Sequence, residues 1–467
     1  MVRNAGTEHH SSRIPRHVEN PGLKPKELIE KSRIASLVSR REYPFNMADG
    51  PVLIFDKSSL ESLNLDEAVL LDNFYRSNVT PLFFVECLAD LEKSIRSNST
   101  PEQLVGSLAT RTPDQQACAN IFHMKALHGE LSRQLDLGDQ RGRPMIEGGR
   151  AVQLGDHKGL IFEHSQEEEA LRRWQKREFL EVERQAAKKW RRTLSQVDFG
   201  TMKSSVMAEL GRWRKPKSLE DAKRIADTII DYMDPEWLIV FGLQILGVPE
   251  AIDPVRTDWI ANRRRPLRNY LPYFTFMLSI NIFFCLVLQT ELLRNVKQSH
   301  QVDLAYLYYL PFCSIFTSKD DFHARIVPLF LSPEQTFVNG SDLKEDLKKL
   351  DEYYQQLPDE IQRQGLMTYA QTPPEDTSFL TTRLWDKYLP SWRDKSERVD
   401  INDPLLREAL GQLMSKVKEA EQSGIPHDET NLENIDHLTI RHQIALRKGR
   451  YRRFTEEIER KSLEENR

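Results

Sequence analysis

The sequence predicts an α/β fold in which a parallel sheet is flanked by helices, with a large helical insertion and a helical C-terminal extension. Three short segments predict the sheet. The apolar run VLIF at 52–55 follows the Gly50-Pro51 break, a β-prone run covers 79–85, and FCSIFTS at 312–318 resumes the pattern. Because each run is short and is joined to a helical pattern, these segments are typical of strands buried on both faces of a parallel sheet.

The segments between and after these strands are predicted to be helical. Ser58 or Ser59 can cap the first helix, because serine favours that position, and Leu88 and Leu91 continue at helical spacing beyond the second strand. The insertion at about 100–250 contains predicted helices at 113–135, 165–194, about 201–213 and 218–233, with a hairpin turning near Gly155-Asp156. Later helices are predicted at about 270–294, from near Asp303, at 322–330 and from Asp342 onward, with an edge strand at 334–340.

Composition limits the class of protein. The chain has 467 residues, and its net charge of -4 arises from 66 basic and 70 acidic residues, so charge alone indicates nothing about nucleic-acid binding. The four cysteines are widely spaced without a CxxC pattern, which argues against a zinc site or disulfide framework and favours a reducing cytoplasm. The N-terminus has no apolar core, so no secretory signal is expected.

One apolar stretch, YFTFMLSINIFFCLVL at 273–288, allows two interpretations. A membrane helix needs about 20 apolar residues, which this stretch does not clearly reach, and Asn281 lies near its middle. A transmembrane helix remains the alternative, but we expect a buried core helix and no membrane association.

Four acidic residues follow the predicted strands. Asp56 ends the first strand, Glu86 opens the helix after the second, Asp303 starts a helix, and Asp320 follows the last central strand. Groups that perform chemistry in a parallel sheet gather beyond the carboxyl ends of its strands. Clustered carboxylates repel one another unless a cation neutralises them, and their hard oxygen atoms suit Mg²⁺ or Mn²⁺. The acids therefore predict a metal site that could cleave phosphodiester bonds.

Three stretches carry a resemblance to the PIN-domain nuclease family. VLIFDKSSL at 52–60 resembles the family's first strand with its aspartate and the small hydroxyl residues after it, and PLFFVECLADL at 81–91 resembles the segment with its glutamate. VDLAYLYYLPFCSIFTSKD at 302–320 resembles the final block, which ends here in Ser318-Lys319-Asp320. The resemblance extends over about 50–98 and 255–340.

The resemblance implies one or two Mg²⁺ or Mn²⁺ ions held by Asp56, Glu86, Asp303 and Asp320, and cleavage of RNA by a metal-activated water. It also implies a PIN-like nuclease domain at 46–340, which includes the insertion. We expect a disordered or weakly ordered arm at 1–45 and a helical region at 341–467. The insertion and the C-terminal helices would select substrate, form a homo-oligomer or bind a regulatory protein.

Each acid also has a structural interpretation. Asp56 and Asp303 could simply cap helices, as aspartate often does. Glu86 could be a solvated helix residue, with Asp90 taking its place in the site. These alternatives are left open at the level of the sequence.

Further residues near the acids are weaker candidates. Ser318 is a possible site residue. Asp321 is interpreted as a turn residue or as one that lies around the metal ligands, although it could take the place of Asp320 as a ligand. His323 is interpreted as a structural residue or as one that contacts the metal ligands without binding the metal. The tyrosines Tyr306, Tyr308 and Tyr309 are expected in the core and in a groove wall.

Basic stretches could bind a phosphate backbone, since Lys and Arg do so without sequence preference. The principal candidate is Arg263, Arg264, Arg265 and Arg268, with GRWRKPK at 211–217 and RKGRYRRF at 447–454 as others.

Together these features predict a cytoplasmic, metal-dependent PIN-like endonuclease, with RNA rather than DNA as its substrate. The alternative is a PIN-like interaction scaffold without activity.

Overall fold

A computed structural model describes residues 50–93, 99–114, 117–135, 137, 142–146, 149–154, 157–162, 166–195, 214–290, 292–293, 300–393 and 448–451. The predicted arm at 1–45 and the predicted helix at about 201–213 lie outside these residues. One compact unit comprises 47–151, 160–399 and 441–467, and the described residues 152–154 and 157–159 belong to a second unit.

The larger unit is built around a five-stranded parallel sheet, which confirms the predicted α/β fold. The strands of the described chain are β1 (Val52–Phe55), β2 (Arg76–Val79), β3 (Cys118–Ala119), β4 (Gly149–Leu154), β5 (His157–Phe162), β6 (Ile315–Ser318) and β7 (Thr336–Asn339). The order in the large sheet is β3-β2-β1-β6-β7, while β4 and β5 form the predicted hairpin. Leu53 of β1 pairs with Ser77 on one side and Ile315 on the other. β7 is an edge strand, as predicted.

Helices cover both faces of this sheet. They are α1 (Lys57–Ser62), α2 (Leu65–Phe74), α3 (Pro81–Ala89), α4 (Pro101–Arg111), α5 (His123–Leu131), α6 (Gln166–Gln175), α7 (Glu181–Ser195), α8 (Leu219–Tyr232), α9 (Pro235–Ile245), α10 (Ile252–Ala261), α11 (Leu267–Tyr270), α12 (Pro272–Leu288), α13 (His300–Tyr306), α14 (Asp321–Ile326), α15 (Gly340–Gln355), α16 (Asp359–Gln362), α17 (Leu366–Tyr369) and α18 (Leu380–Tyr388). Side chains of β1 alternate between two cores, as the two-residue period of a strand requires. Leu53 and Phe55 lie in the core shared with α2 and α15, while Ile54 lies in the core shared with α8 and α12.

The apolar stretch at 273–288 lies within α12, and its interpretation as a buried core helix is confirmed. Every side chain from Tyr273 to Val287 is buried except Phe276, which is partly buried against the same core. Asn281 is buried too, and its side-chain amide donates to the Met277 carbonyl at 2.8 Å and the Tyr308 hydroxyl at 2.9 Å. In the described part of the chain, no helix is both long enough and apolar enough to cross a membrane.

Apart from Val79, which ends β2, the apolar run at 79–85 is not a strand, and the prediction for it was wrong. The chain begins α3 there because Thr80 caps the helix by accepting a hydrogen bond from the Phe83 amide at 3.3 Å, and Pro81 presets the first helical φ. Its apolar side chains are therefore buried from a helix. Glu86 consequently lies inside α3 rather than at its start.

The second strand instead uses the polar sequence RSNV. Ser77 and Asn78 are fully buried in β2, and the Asn78 amide donates to the Phe312 carbonyl at 2.9 Å. A central strand with polar side chains does not show the apolar run by which buried strands are recognised.

Two predictions within the insertion also need correction. The long charged helix at 165–194 is broken into α6 and α7 around Arg177, whose positive φ of 63° cannot continue a right-handed helix. The predicted helix at 113–135 is divided as well, since β3 adds to the edge of the large sheet before α5 begins.

A segment at 448–451 lies against α2 and α15. Arg450 places its side chain 3.0 Å from carboxylate oxygens of both Asp66 and Asp351, and its backbone amide donates to Asp66 at 2.8 Å. The Tyr451 hydroxyl donates to Asp351 at 2.8 Å. Of the basic stretch predicted at 447–454, Arg450 is thus neutralised by the protein itself.

Candidate functional site

The sheet contains one point at which its strand order reverses. From β1 the chain adds β2 and β3 on one side, then returns to add β6 and β7 on the other. The connections that leave the carboxyl ends of β1 and β6 therefore diverge and create a crevice, which is where α/β proteins bind ligands. Asp56 follows β1 directly, and Ser318 ends β6.

Asp56 caps α1 and is held by three serines. Its Oδ1 accepts from the Ser59 amide at 2.9 Å, and the Ser58 hydroxyl lies 2.9 and 2.8 Å from its two oxygens. The Ser318 hydroxyl donates to Oδ2 at 2.6 Å. The capping role is therefore confirmed, and the same contacts fix the carboxylate at the floor of the crevice. Ser318 thus links the end of β6 to the aspartate after β1, and it lies beside Asp56 as a possible site residue should.

His323 is fully buried beside this carboxylate. Its Nδ1 lies 3.3 Å from Asp56 Oδ2 and 2.9 Å from the Ser318 hydroxyl, and its Nε2 lies 2.8 Å from the Asp303 carbonyl oxygen. Burial lowers the pKa of the imidazole, but the hydrogen bond and charge of Asp56 and the charge of Asp303 outweigh burial and raise the pKa to about 9. His323 is therefore a cation at neutral pH.

The pKa of Asp56 moves the opposite way. Burial alone would raise it, but the hydrogen bond and positive charge of His323 and the donors from Ser318 and Ser59 together hold it below its ordinary value. Asp56 is consequently ionised, and it forms a buried ion pair with His323.

Glu86 projects from α3 and is half-buried. The fully buried Tyr306 donates its hydroxyl hydrogen to Glu86 Oε2 at 2.6 Å. Burial raises the pKa of Glu86 to about 7. The hydrogen bond from Tyr306 and the positive charge of Lys57 lower this pKa, while the negative charges of Asp303 and Asp56 raise it.

Asp303 lies inside α13, so it does not cap that helix. Burial raises the pKa of its carboxyl to about 7. The negative charges of Asp320 and Asp56 raise this pKa further, and the charge of His323 lowers it. Asp320 caps α14 by accepting from the Phe322 amide at 2.7 Å, and its own amide donates to the Ser318 hydroxyl at 2.9 Å.

The four predicted acids thus lie in one electrostatic neighbourhood. Asp303 and Asp56 act on Glu86, and Asp320 and Asp56 act on Asp303. Among the described residues, however, no three His, Cys, Asp or Glu side chains form a group close enough to hold a metal ion. The carboxylates are close enough to influence one another's pKa values, but in the described residues they are not arranged as a preformed metal site.

Asp90, the alternative to Glu86, has another role. It is buried, and its Oδ2 lies 2.5 Å from the Lys57 ammonium. Lys93 and Arg191 lie 3.7 and 3.5 Å from its other oxygen. Asp90 therefore balances three basic side chains. Asp321, the other possible substitute, is exposed at the start of α14.

The basic stretch before α12 is only partly available to a ligand. Arg263, Arg264 and Arg265 are exposed. Arg268 is held by Asp231 and, at 3.2 Å, by Asp227.

This basic stretch leads directly into α11 and α12. It precedes Tyr273, whose hydroxyl donates to the Tyr308 carbonyl at 3.0 Å, and Tyr308 belongs to the turn leading into the amino end of β6.

The supporting roles of Ser58, Lys57 and Tyr306 were not predicted from the sequence, and that of His323 was predicted only in part. His323 lies one helical turn after the Asp320 cap, a position that points back towards the strand end. That spacing was available in the sequence, whereas the contact of Tyr306 with Glu86 depends on tertiary packing.

No protein-family model, curated protein or solved structure matches this chain.

Proposed function

We propose that the chain is a metal-dependent PIN-like nuclease that hydrolyses phosphodiester bonds, with RNA rather than DNA as its substrate. One observation supports the proposal most: Asp303 and Asp56 act on Glu86, Asp320 and Asp56 act on Asp303, and the negative charge of these four acids exceeds the positive charge of the contacting His323. Excess charge of this kind favours the binding of a cation. The parallel sheet flanked by helices agrees with the fold that the PIN resemblance implies.

The donor chemistry of the crevice fits Mg²⁺ or Mn²⁺. Both ions prefer carboxylate oxygens, and Mg²⁺ keeps several waters while binding one or two carboxylates together with substrate phosphate. Such binding does not need three side chains in direct contact with the ion. Asp303 and Glu86 would be its main ligands, with Asp320 at the rim and Asp56 at the floor. When bound, the ion would neutralise these charges and lower the pKa of water.

The chain's own groups would orient the site. Tyr306 holds Glu86 through its hydroxyl, and three serine contacts hold Asp56. His323 keeps Asp56 ionised and also fixes the backbone carbonyl of Asp303. Because these partners are buried, the carboxylates need little rearrangement when substrate binds.

The alternative, an inactive PIN-like scaffold, is favoured by a different observation. Asp56 already accepts from two hydroxyls and one amide, and the buried imidazolium of His323 lies beside it. An internal cation that replaces a metal would stabilise the fold without supplying chemistry.

Cleavage of a labelled RNA in the presence of Mn²⁺ distinguishes the two. Asp320→Asn removes a charge but keeps the oxygen that caps α14, so the protein should fold. We expect the rate to fall by at least about a hundredfold, as it does when a positioned catalytic group is lost. Asp321→Asn, the exposed neighbour, is the matched control and should cleave like the wild type.

Two results would count against the nuclease. Wild-type protein that cleaves neither RNA nor DNA with Mg²⁺ or Mn²⁺ would favour the scaffold. An Asp320→Asn variant as fast as the wild type would place the active site elsewhere.

A further inference from the structure

Helix α7 presents a basic surface beside the acidic crevice. Lys188, Arg191 and Arg192 line an open cleft of roughly 430 Å³ together with Glu92. We call these three basic residues the α7 basic surface. It belongs to the insertion and lies outside every basic stretch that the sequence singled out.

The packing of α7 determines which side chains face outwards. Ala187 is buried in the core that contains Leu53, and the partly buried Trp190 packs against the core that contains Ile54. Lys188 and Arg192 are therefore exposed on the opposite side. Arg191 lies between them and donates through Nε to the Ala89 carbonyl at the end of α3, at 3.0 Å. The basic surface is thus attached to the helix that carries Glu86.

A row of charges connects this surface with the crevice. Arg191 lies 3.5 Å from one oxygen of Asp90, and Lys57 lies 2.5 Å from the other. Lys57 directly follows Asp56, and its charge acts on Glu86. Lys57 also lies 3.7 Å from Glu61, so acidic and basic side chains alternate along this row, and the basic side chains of α7 stand at its outer end.

We propose that the α7 basic surface binds the phosphate backbone of a single-stranded nucleic acid whose scissile phosphate lies in the acidic crevice. This inference rests on the proposed nuclease function and adds a path for the substrate. Exposed lysine and arginine on a fixed helix recognise phosphate without recognising sequence. They would also offset the repulsion between the acidic crevice and a polyanion.

Binding of fluorescein-labelled oligouridine of about twenty nucleotides, measured by anisotropy across a series of salt concentrations, tests this proposal. The protein is the full chain with Asp320→Asn, so that the RNA is not cut. The variant Lys188→Glu/Arg192→Glu should bind at least about tenfold more weakly. For single strands, the slope of log affinity against log salt changes by about 0.7 per phosphate contact, so it should become shallower by roughly 1.4.

Arg263→Glu/Arg265→Glu is the matched control, because it makes the same charge change in exposed residues of another segment of the chain. It should leave both affinity and slope nearly unchanged. Oligothymidine of the same length should lose affinity in the α7 variant as RNA does, because the contact is with the backbone. Circular dichroism melting verifies that each variant folds. If Lys188→Glu/Arg192→Glu does not fold, Lys188→Gln/Arg192→Gln is used in its place.

Three results would overturn the proposal: no effect of the α7 variant, an equal effect of both variants, or a loss confined to the Arg263 and Arg265 variant. Tighter binding of polyglutamate than of RNA at equal charge would overturn it in favour of an acidic protein partner.

The binding assay does not depend on cleavage, so the two proposals can fail separately. A protein that binds RNA through Lys188 and Arg192 but never cleaves it contradicts only the nuclease. A protein that cleaves RNA with an unchanged KM after both substitutions contradicts only the α7 basic surface.

Discussion

At the scale of single residues, the charge of the crevice depends on the buried His323. Burying an ion pair is costly unless both partners are well satisfied. Here the imidazole contacts Asp56, Ser318 and the carbonyl of Asp303. Removing either member of the pair would leave its partner as an uncompensated buried charge, so we expect both to be sensitive to substitution.

His323→Gln should lower the free energy of unfolding by about 3 kcal/mol near pH 6. The folded pKa of about 9 lies above the ordinary value of 6.5, so this stabilisation is complete below pH 6.5 and is lost as the pH rises through 9. Urea unfolding of wild type and variant between pH 6 and 10 should therefore converge at the alkaline end. His128→Gln, at an exposed position, is the control, and a gap that persists unchanged at pH 10 would show that His323 is not the titrating group.

At the scale of elements, α12 is secured by a side chain from another helix. Buried Glu130 of α5 accepts from the amides of Tyr273 and Phe274 at 2.8 and 2.7 Å. These amides belong to the first turn of α12, where backbone donors have no partner within the helix. A negative charge there also interacts favourably with the helix dipole.

Glu130→Ala should destabilise the protein by at least about 2 kcal/mol, because it leaves two buried amide donors without an acceptor. Glu130→Gln keeps one acceptor oxygen and should lose less. Urea unfolding at pH 7 measures both. If Ala and Gln cost the same, or if neither costs anything, the contact does not stabilise α12.

The elements also show what the sequence could predict. β1, β6 and α12 could be predicted because their buried side chains are mostly hydrophobic and therefore form apolar runs in the sequence. β2 was missed because its central position depends on neighbouring strands rather than on its own polar residues. The break between α6 and α7 was missed because it depends on the backbone of Arg177, and arginine is ordinarily a good helix former.

At the scale of the whole molecule, residues distant in sequence close the fold. Arg450 contacts Asp66 on α2 and Asp351 on α15, helices that border the same core. The basic sequence around it suggested nucleic-acid contact because charge runs do not reveal their partners. Asp56 and Asp320 were easier to predict, since they follow β1 and β6, whereas Glu86 and Asp303 lie inside helices. The contacts of His323 and Tyr306 require the packed structure.

Arg450→Ala should lower stability by roughly 2 kcal/mol, because the buried Asp351 would lose a charged hydrogen-bond partner while keeping those from Tyr451 and Gln355. Arg363→Ala removes an exposed ion pair with Asp359, 3.9 Å long, and should change stability by less than about 1 kcal/mol. Thermal and urea unfolding of both variants provide the comparison. Equal stability of the two would mean that the segment at 448–451 is not anchored as described.

If the acids of the crevice form one cation site, Mn²⁺ should stabilise the folded protein, and the shift in Tm measures this stabilisation. A ligand at a hundred times its Kd adds about 2.7 kcal/mol to the native state. Glu86 and Asp303, with pKa values of about 7, bind protons below that pH, so Mn²⁺ should raise the Tm more at pH 8 than at pH 6.

Asp303→Asn should abolish most of this shift in Tm, while the exposed control Asp321→Asn should keep it. Mn²⁺ that leaves the wild-type Tm unchanged at pH 8, or that stabilises Asp303→Asn as much as the wild type, would show that these acids do not form a cation site.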